Sequence, residues 1–186
     1  METKATHPGL QDKPIEAGLQ EKGRRSKRGG RRLVPPPPSS PAVAAVMRGN
    51  TANDTSPEIL LRSALWKSGI RGYRKHLQHL PGRPDVAFPR HRLAVFIHGC
   101  FWHRCPKCNI LIPRTNTSYW EEKLRRNVER DQRVFGYLEQ LGWRTMRLWE
   151  CEIRESLDQC IHEVGEELQR PSASHLVSPV SRTQKQ

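Results

Sequence analysis

Apolar positions at Leu60, Leu61, Ala64 and Leu65 recur at helical spacing, with Ser56-Pro57 ahead of them and Gly69 behind. A serine N-cap, a proline in the first turn and a closing glycine predict a helix there. A short strand reads at 71–76, and PGRPD then breaks the chain. The β-rich runs DVAF (85–88) and LAVFIH (93–98) are joined by Pro89-Arg90-His91-Arg92, which predicts a hairpin. A polar, cysteine-rich loop, GCFWHRCPKC, runs on to about Thr117. Ser118 and Glu121 fit a capping box for a long helix to Leu141, with Leu124, Val128, Phe135 and Leu138 as its apolar positions. WRTMRLW (143–149) reads as a strand and 152–168 as a last helix. The order is α-β-β-β-α-β-α, which predicts an α/β fold with a mixed β-sheet flanked by helices.

The two ends of the chain lack this patterning. Residues 1–46 contain KGRRSKRGGRR and PPPPSSP and no aromatic ring. Such a segment cannot bury enough apolar area to offset its ordering entropy. It is expected to be a disordered basic arm, and 169–186 a disordered tail. All 12 Phe, Trp and Tyr residues fall between Trp66 and Trp149. One folded domain over 47–168 is therefore expected.

Charge narrows the partners. The formal net charge is +13. About +11 lies on 47–149 and +5 on the arm, whereas 150–168 is acidic, at −6. That balance favours a polyanion such as nucleic acid. No apolar run reaches the roughly 20 residues of a membrane span. The first residues carry no apolar leader, so a cytoplasmic protein with no membrane partner is expected.

Five cysteines occur, at 100, 105, 108, 151 and 160. A disulfide framework does not suit a cytoplasmic chain. Cys105 and Cys108, with Cys100 five residues earlier, put three thiols on one loop, and Cys151 just past a strand can supply a fourth ligand for structural zinc. His98 or His103 can replace one of these thiols. Cys160 reads as a plain thiol.

The hairpin places Asp85 across from about Phe96 or Ile97. His98 and the Ile97 carbonyl then lie near its carboxylate, a set suited to Mg²⁺, with Glu58 as candidate second carboxylate. Lys123, Asn127 and Asp131 are spaced by four and share a helix face. By itself that is an ordinary solvated stripe. Phe101-Trp102 stand between two histidines on a loop, where both rings cannot easily turn inward.

HGCFWHRC, preceded by LPGRPDVAF and followed by YWEEKLRRNVERDQR and GWRTMRLWEC, resembles the very-short-patch repair (Vsr) mismatch endonucleases from about Met47 to Ile153. The resemblance implies a restriction-endonuclease-like core. It also implies Mg²⁺-dependent nicking of DNA 5′ of the thymine in a T:G mismatch, the product of 5-methylcytosine deamination. Asp85 matches the metal-binding aspartate, and Ile97 a position that ligates metal through its backbone oxygen. His103 matches the catalytic histidine and His98 a second one. Glu58 falls on the acidic position of the first helix, and Asp131 supports a histidine. Phe101, Trp102, Trp120 and Met47 match residues that wedge into the duplex, and Lys123 and Asn127 face the mispaired bases. Relatives often include a histidine among the zinc ligands. This chain's altered spacing suggests four thiolates instead: Cys100, Cys105, Cys108 and Cys151. The resemblance further implies a monomer, bacterial-type action at the nucleoid, and pairing with a cytosine-5 methyltransferase and mismatch-repair proteins. A different-substrate nuclease of this fold, or a zinc-containing DNA-binding module without catalysis, are the alternatives. The module would place no demand on Asp85.

Overall fold

The computed structural model describes residues 33–49 and 53–171. The expected arm up to residue 32 and the tail beyond residue 171 lie outside these. Helix α1 (Pro41–Gly49) starts inside the segment read as an unstructured arm, and it buries no residue.

Helix α2 (Ser56–Lys67) is entered at Thr55, not at Ser56 as the sequence suggested. Ser56 and Pro57 form the first turn, where a proline loses no hydrogen bond. Glu58 is the third helical residue. Its carboxylate accepts bonds from the Thr55 hydroxyl (2.8 Å) and the Asp54 N–H (2.9 Å), so the start of the helix also fixes a buried acid.

The segment 71–76 forms no strand; it contributes one antiparallel bridge, Arg74 to Ala87. Gly72 and His76 both have positive φ, 84° and 48°, which interrupts an extended run. The expected hairpin is present. Strand β1 (Val86–Phe88) turns through a 3₁₀ segment at Pro89–His91 into β2 (Leu93–His98), with Val86 opposite Val95 and Phe88 opposite Leu93. Helix α3 (Thr117–Gln140) then crosses over to β3 (Arg144–Trp149), which pairs parallel to β2 with Ile97 opposite Leu148 and His98 opposite Trp149. The sheet order is β1-β2-β3. Asn116 precedes α3 in a left-handed conformation and makes no side-chain cap, so the Ser118–Glu121 box is not used. The last helix is two, α4 (Glu150–Glu155) and α5 (Leu157–Gln169), divided at Ser156, whose ψ of 54° is not helical.

The sheet is covered on both faces, so its central strand is apolar almost throughout. Val86, Phe88, Leu93, Val95 and Leu148 pack with Leu61 and Leu65 of α2, Ile153 of α4 and Val164 of α5. Ala87, Ala94 and Phe96 pack with Leu80 and with Leu138 of α3. Gly82 makes the second packing possible. Its φ is 75°, and a Cβ there would lie 2.4 Å from Val134 of α3. The PGRPD turn is thereby pressed between α3 and the start of β1.

Candidate active site and thiol cluster

Asp85 ends that turn one residue before β1. Its Oδ2 accepts the Ile97 N–H at 2.7 Å, as the register of the hairpin requires. Burial pushes its carboxyl up to about 6; the Ile97 bond opposes this, and the nearby Glu58 charge adds to it. A partly buried acid held above its ordinary range is short of positive charge. Two open cavities meet here. One, of about 490 Å³, is lined by Asp85, Ile97, Glu58, Trp102, Glu150 and Arg154 among others. The second, of about 350 Å³, is lined by Asp85, Ile97, His98, His103, Asp131 and Arg83 among others. Asp85 and Ile97 line both, so either cavity gives a substrate access to the carboxylate.

The histidines belong to the second cavity. His103 Nδ1 bonds to the Asp131 carboxylate. Burial works to raise the Asp131 carboxyl, but the hydrogen bond and charge of His103 outweigh it and hold it below its ordinary value. Asp131 is thus the acceptor. An Nδ1–H directed at Asp131 turns the other ring nitrogen, Nε2, away from that carboxylate. His98 stacks on His103 with ring centroids 3.9 Å apart and planes at 17°. It is 4% exposed, and its Nδ1 has no partner among the described residues. Burial, followed by the charge of His103, pushes its pKa down to about 3, so it stays neutral. The ligand atoms of His98, His103 and Asp131 all lie within 4.8 Å of one another.

Glu58 reaches the first cavity from α2. Arg62 approaches it at 3.4 Å and His76 at 3.8 Å, and Asp54 pairs with Arg62, Lys75 and His76. Sequence reasoning did not assign Thr55, Asp54 or His76 to this support, although Thr55-x-x-Glu58 carries the signature of a helix start. Arg83, Arg130, Glu150 and Arg154 were also missed as cavity residues. They come from separate elements, and only the fold brings them together.

The rings of Phe101, Trp102 and Trp120 form one cluster, with centroids 5.1, 5.5 and 6.0 Å apart. All three are partly exposed. Asn127 of α3 is buried and donates its side-chain N–H to the Trp102 carbonyl at 3.0 Å. Lys123 lies one turn earlier on α3, and Met47 is exposed on α1.

The four cysteines expected to bind zinc converge. The sulfurs of Cys100, Cys105, Cys108 and Cys151 lie within 4.8 Å of one another, with Cys105 and Cys151 at 3.8 Å. Tetrahedral zinc with Zn–S bonds of about 2.3 Å separates its sulfurs by roughly 3.8 Å, so this donor set fits zinc. Four protein ligands leave no open position, which is the signature of a structural site. His98 and His103 belong to the other cluster and replace none of the thiols. Cys160 lies apart, on the core side of α5.

An α/β protein with a partly buried carboxylate, an Asp–His pair on the same cavity and a separate four-thiol cluster is the class this geometry defines. The model of the DNA mismatch endonuclease Vsr family matches residues 41–109. The type II nicking enzyme V.NaeI of Lentzea aerocolonigenes is 49% identical over 111 residues, 57% of this chain and 66% of its own length. V.NmeAIP of Neisseria meningitidis is 39% identical over 121 residues, covering 61% of this chain and 84% of its own. DNA mismatch endonuclease Vsr of Escherichia coli is 42% identical over 108 residues, 58% of this chain and 69% of its own. The chain belongs to the Vsr family. Among the described residues, no helix is long and apolar enough to cross a membrane.

Proposed function

We propose that this protein nicks one strand of duplex DNA on the 5′ side of the thymine in a T:G mismatch, with Mg²⁺ at Asp85 and structural zinc on Cys100, Cys105, Cys108 and Cys151. The observation that carries the reading is the sharing of one cavity by the Asp85 carboxylate and the Asp131-oriented His103. Relatives described as nicking enzymes and as a mismatch endonuclease support it. Asp85 and the Ile97 backbone oxygen hold the metal, and Glu58 is the second acid facing the same space. A Mg²⁺ ion held by these residues would supply activation of water and would offset charge on the phosphate and leaving oxygen. His103 Nε2 takes the proton of the attacking water, and Asp131 stabilises the imidazolium that results. Neutral His98 stacks against His103 and fixes its plane.

Substrate selection rests on the aromatic cluster. Phe101, Trp102 and Trp120 insert beside the mispair, and Met47 enters from the other groove. Unstacking a base step costs a few kcal/mol, and less where pairing is already poor. Lys123 supplies donors toward the mispaired bases. Asn127 is the second residue proposed to face those bases, and its bond to the Trp102 carbonyl ties it to the aromatic cluster. The protein works as a monomer in the cytoplasm. It is paired functionally with a cytosine-5 methyltransferase, whose product yields T:G on deamination, and with mismatch-repair proteins.

The test is nicking of matched oligonucleotide duplexes, T:G against C:G, with Mg²⁺ or with chelator. Nicking of T:G alone, dependent on Mg²⁺ and abolished in Asp85→Ala and His103→Ala with mismatch binding retained, is expected. Equal cleavage of both duplexes, or of neither, defeats the proposal.

A further inference from the structure

The second cavity holds a cation that the chemistry above does not use. Arg83 lies in the PGRPD turn, two residues before Asp85, and lines the cavity that Asp85, His98, His103 and Asp131 also line. It is exposed, and among the described residues its guanidinium has no hydrogen-bond or ion-pair partner. The other arginine of this cavity, Arg130, differs: its Nη2 lies 3.3 Å from Asp131 Oδ1. Asp131 is thereby committed to both His103 and Arg130. Asp85 is bonded to Ile97, which leaves Arg83 as the uncommitted charge at the mouth.

The backbone fixes where that charge sits. Gly82 is held against Val134 of α3, Pro84 is fully buried, and the Arg83 N–H bonds to the Leu80 carbonyl at 3.2 Å. Arg83 itself has φ 52°, in the left-handed region, where glycine or asparagine would be relaxed and arginine is not. Arg92 and Arg104 share that conformation, so strain alone gives Arg83 no role; what sets it apart is that it lines the cavity of Asp85 with no partner among the described residues.

We propose that Arg83 binds a backbone phosphate of the cleaved strand next to the phosphate that is hydrolysed, and so fixes the register in which the strand crosses Asp85. The ligand class is a phosphodiester oxyanion, which the planar guanidinium can grip with two parallel N–H bonds. The ammonium of a lysine cannot reproduce that fork. This inference rests on the DNA-nicking reading and adds a specific phosphate grip to it.

The experiment uses the full chain and T:G duplexes, each carrying one neutral methylphosphonate at a successive position around the nick. In the wild-type protein one position beside the nick is expected to weaken binding about tenfold. In Arg83→Gly and Arg83→Ala that position should no longer matter, because no guanidinium remains to sense its charge. The dependence of log affinity on log salt should also become shallower by about 0.9, the value for one neutralised phosphate. Arg83→Gly separates this from a folding defect: it relieves the left-handed strain, so its melting temperature should equal or exceed that of wild type while affinity falls. Arg83→Lys should recover the salt slope but not the full nicking rate. The proposal is overturned if the glycine variant binds and nicks like wild type. It is also overturned if the weakening by each methylphosphonate persists unchanged in that variant. Wild-type protein that nicks no duplex would instead remove the function on which the phosphate grip depends.

Discussion

Asp85, partly buried, and His98, fully buried, are two titratable groups with opposite demands on pH. The Asp85 carboxyl is pushed up to about 6 by burial, from an ordinary 3.8. A raised acid stabilises the folded state below its unfolded pKa, and that contribution is lost as pH rises through the folded value. In metal-free protein above pH 6, Asp85 is therefore a poorly solvated charge that opposes folding. His98 is pushed down to about 3 by burial. Its depressed pKa gives stability that is present above the ordinary imidazole value of 6.5 and is lost as pH falls toward 3. Because His98 is shifted further than Asp85, the two together leave the metal-free protein least stable in acid and most stable above about pH 6.5. Asp85→Asn, whose amide oxygen can still accept the Ile97 N–H, should gain on the order of 2 kcal/mol over wild type at pH 8 in chelator. The gain should shrink to nothing below pH 4, while nicking is abolished. Urea unfolding of both proteins at pH 8, 6 and 4 measures this, and a pH-independent gap would show that burial of the charge is not its source. Much at this scale was legible. The pairing of Asp85 with the Ile97 region follows from counting residues around a four-residue turn. The partner of Asn127 was not legible, because a bond from α3 to the Trp102 carbonyl depends on how helix and loop dock.

Elements matter here chiefly for what they hold in place. The loop between β2 and α3 has little regular structure, yet it carries Cys100, Phe101, Trp102, His103, Cys105 and Cys108. Three of those residues join Cys151 of α4 in the thiol cluster, which ties the loop to the start of α4 at the end of the sheet where β2 and β3 both finish. Lys107 adds an exposed ion pair with Glu152 of α4 at 2.6 Å. An ion bound by the thiols contributes its binding free energy to folding of the loop. Cys151→Ala should therefore reduce zinc to near zero per protein and lower the melting temperature, as chelation does. Cys160→Ala, on the core side of α5 and away from the cluster, should keep its zinc and cost only about 1 kcal/mol of packing. Metal analysis beside thermal unfolding distinguishes the two, and unchanged zinc in Cys151→Ala would dismiss the site. The hairpin, the long helix and β3 were readable because proline, glycine and apolar spacing mark them. The strand at 71–76 was not excluded by its composition; it fails because Gly72 and His76 turn the backbone to positive φ. The division of the last helix at Ser156 has no glycine or proline to announce it.

Across the whole molecule, charge and chemistry divide between segments. The nine basic and four acidic residues of the N-terminal arm all lie within 1–32, whereas Asp85, His103 and the aromatic cluster lie in the described fold. The acidic stretch 150–168 forms α4 and α5, and these pack on the sheet face opposite α3. Arg130 of α3 and Arg83 line one of the two cavities at Asp85, while Glu150 and Arg154 of α4 line the other. If the arm only adds affinity for phosphate, its removal has a defined signature. A chain starting at Leu33 should nick T:G duplexes at the full rate when DNA is saturating. It should need more DNA to saturate, and its log affinity should fall less steeply with log salt, by about 0.9 for each phosphate the arm had neutralised. The preference for T:G over C:G should not change, since the residues proposed to sense the mispair all lie beyond residue 46. Single-turnover nicking by both chains at several salt concentrations separates these quantities. A truncated chain that saturates as before but nicks slowly, or that cuts C:G as well, would give the arm a part in catalysis or in mismatch selection that charge alone does not supply.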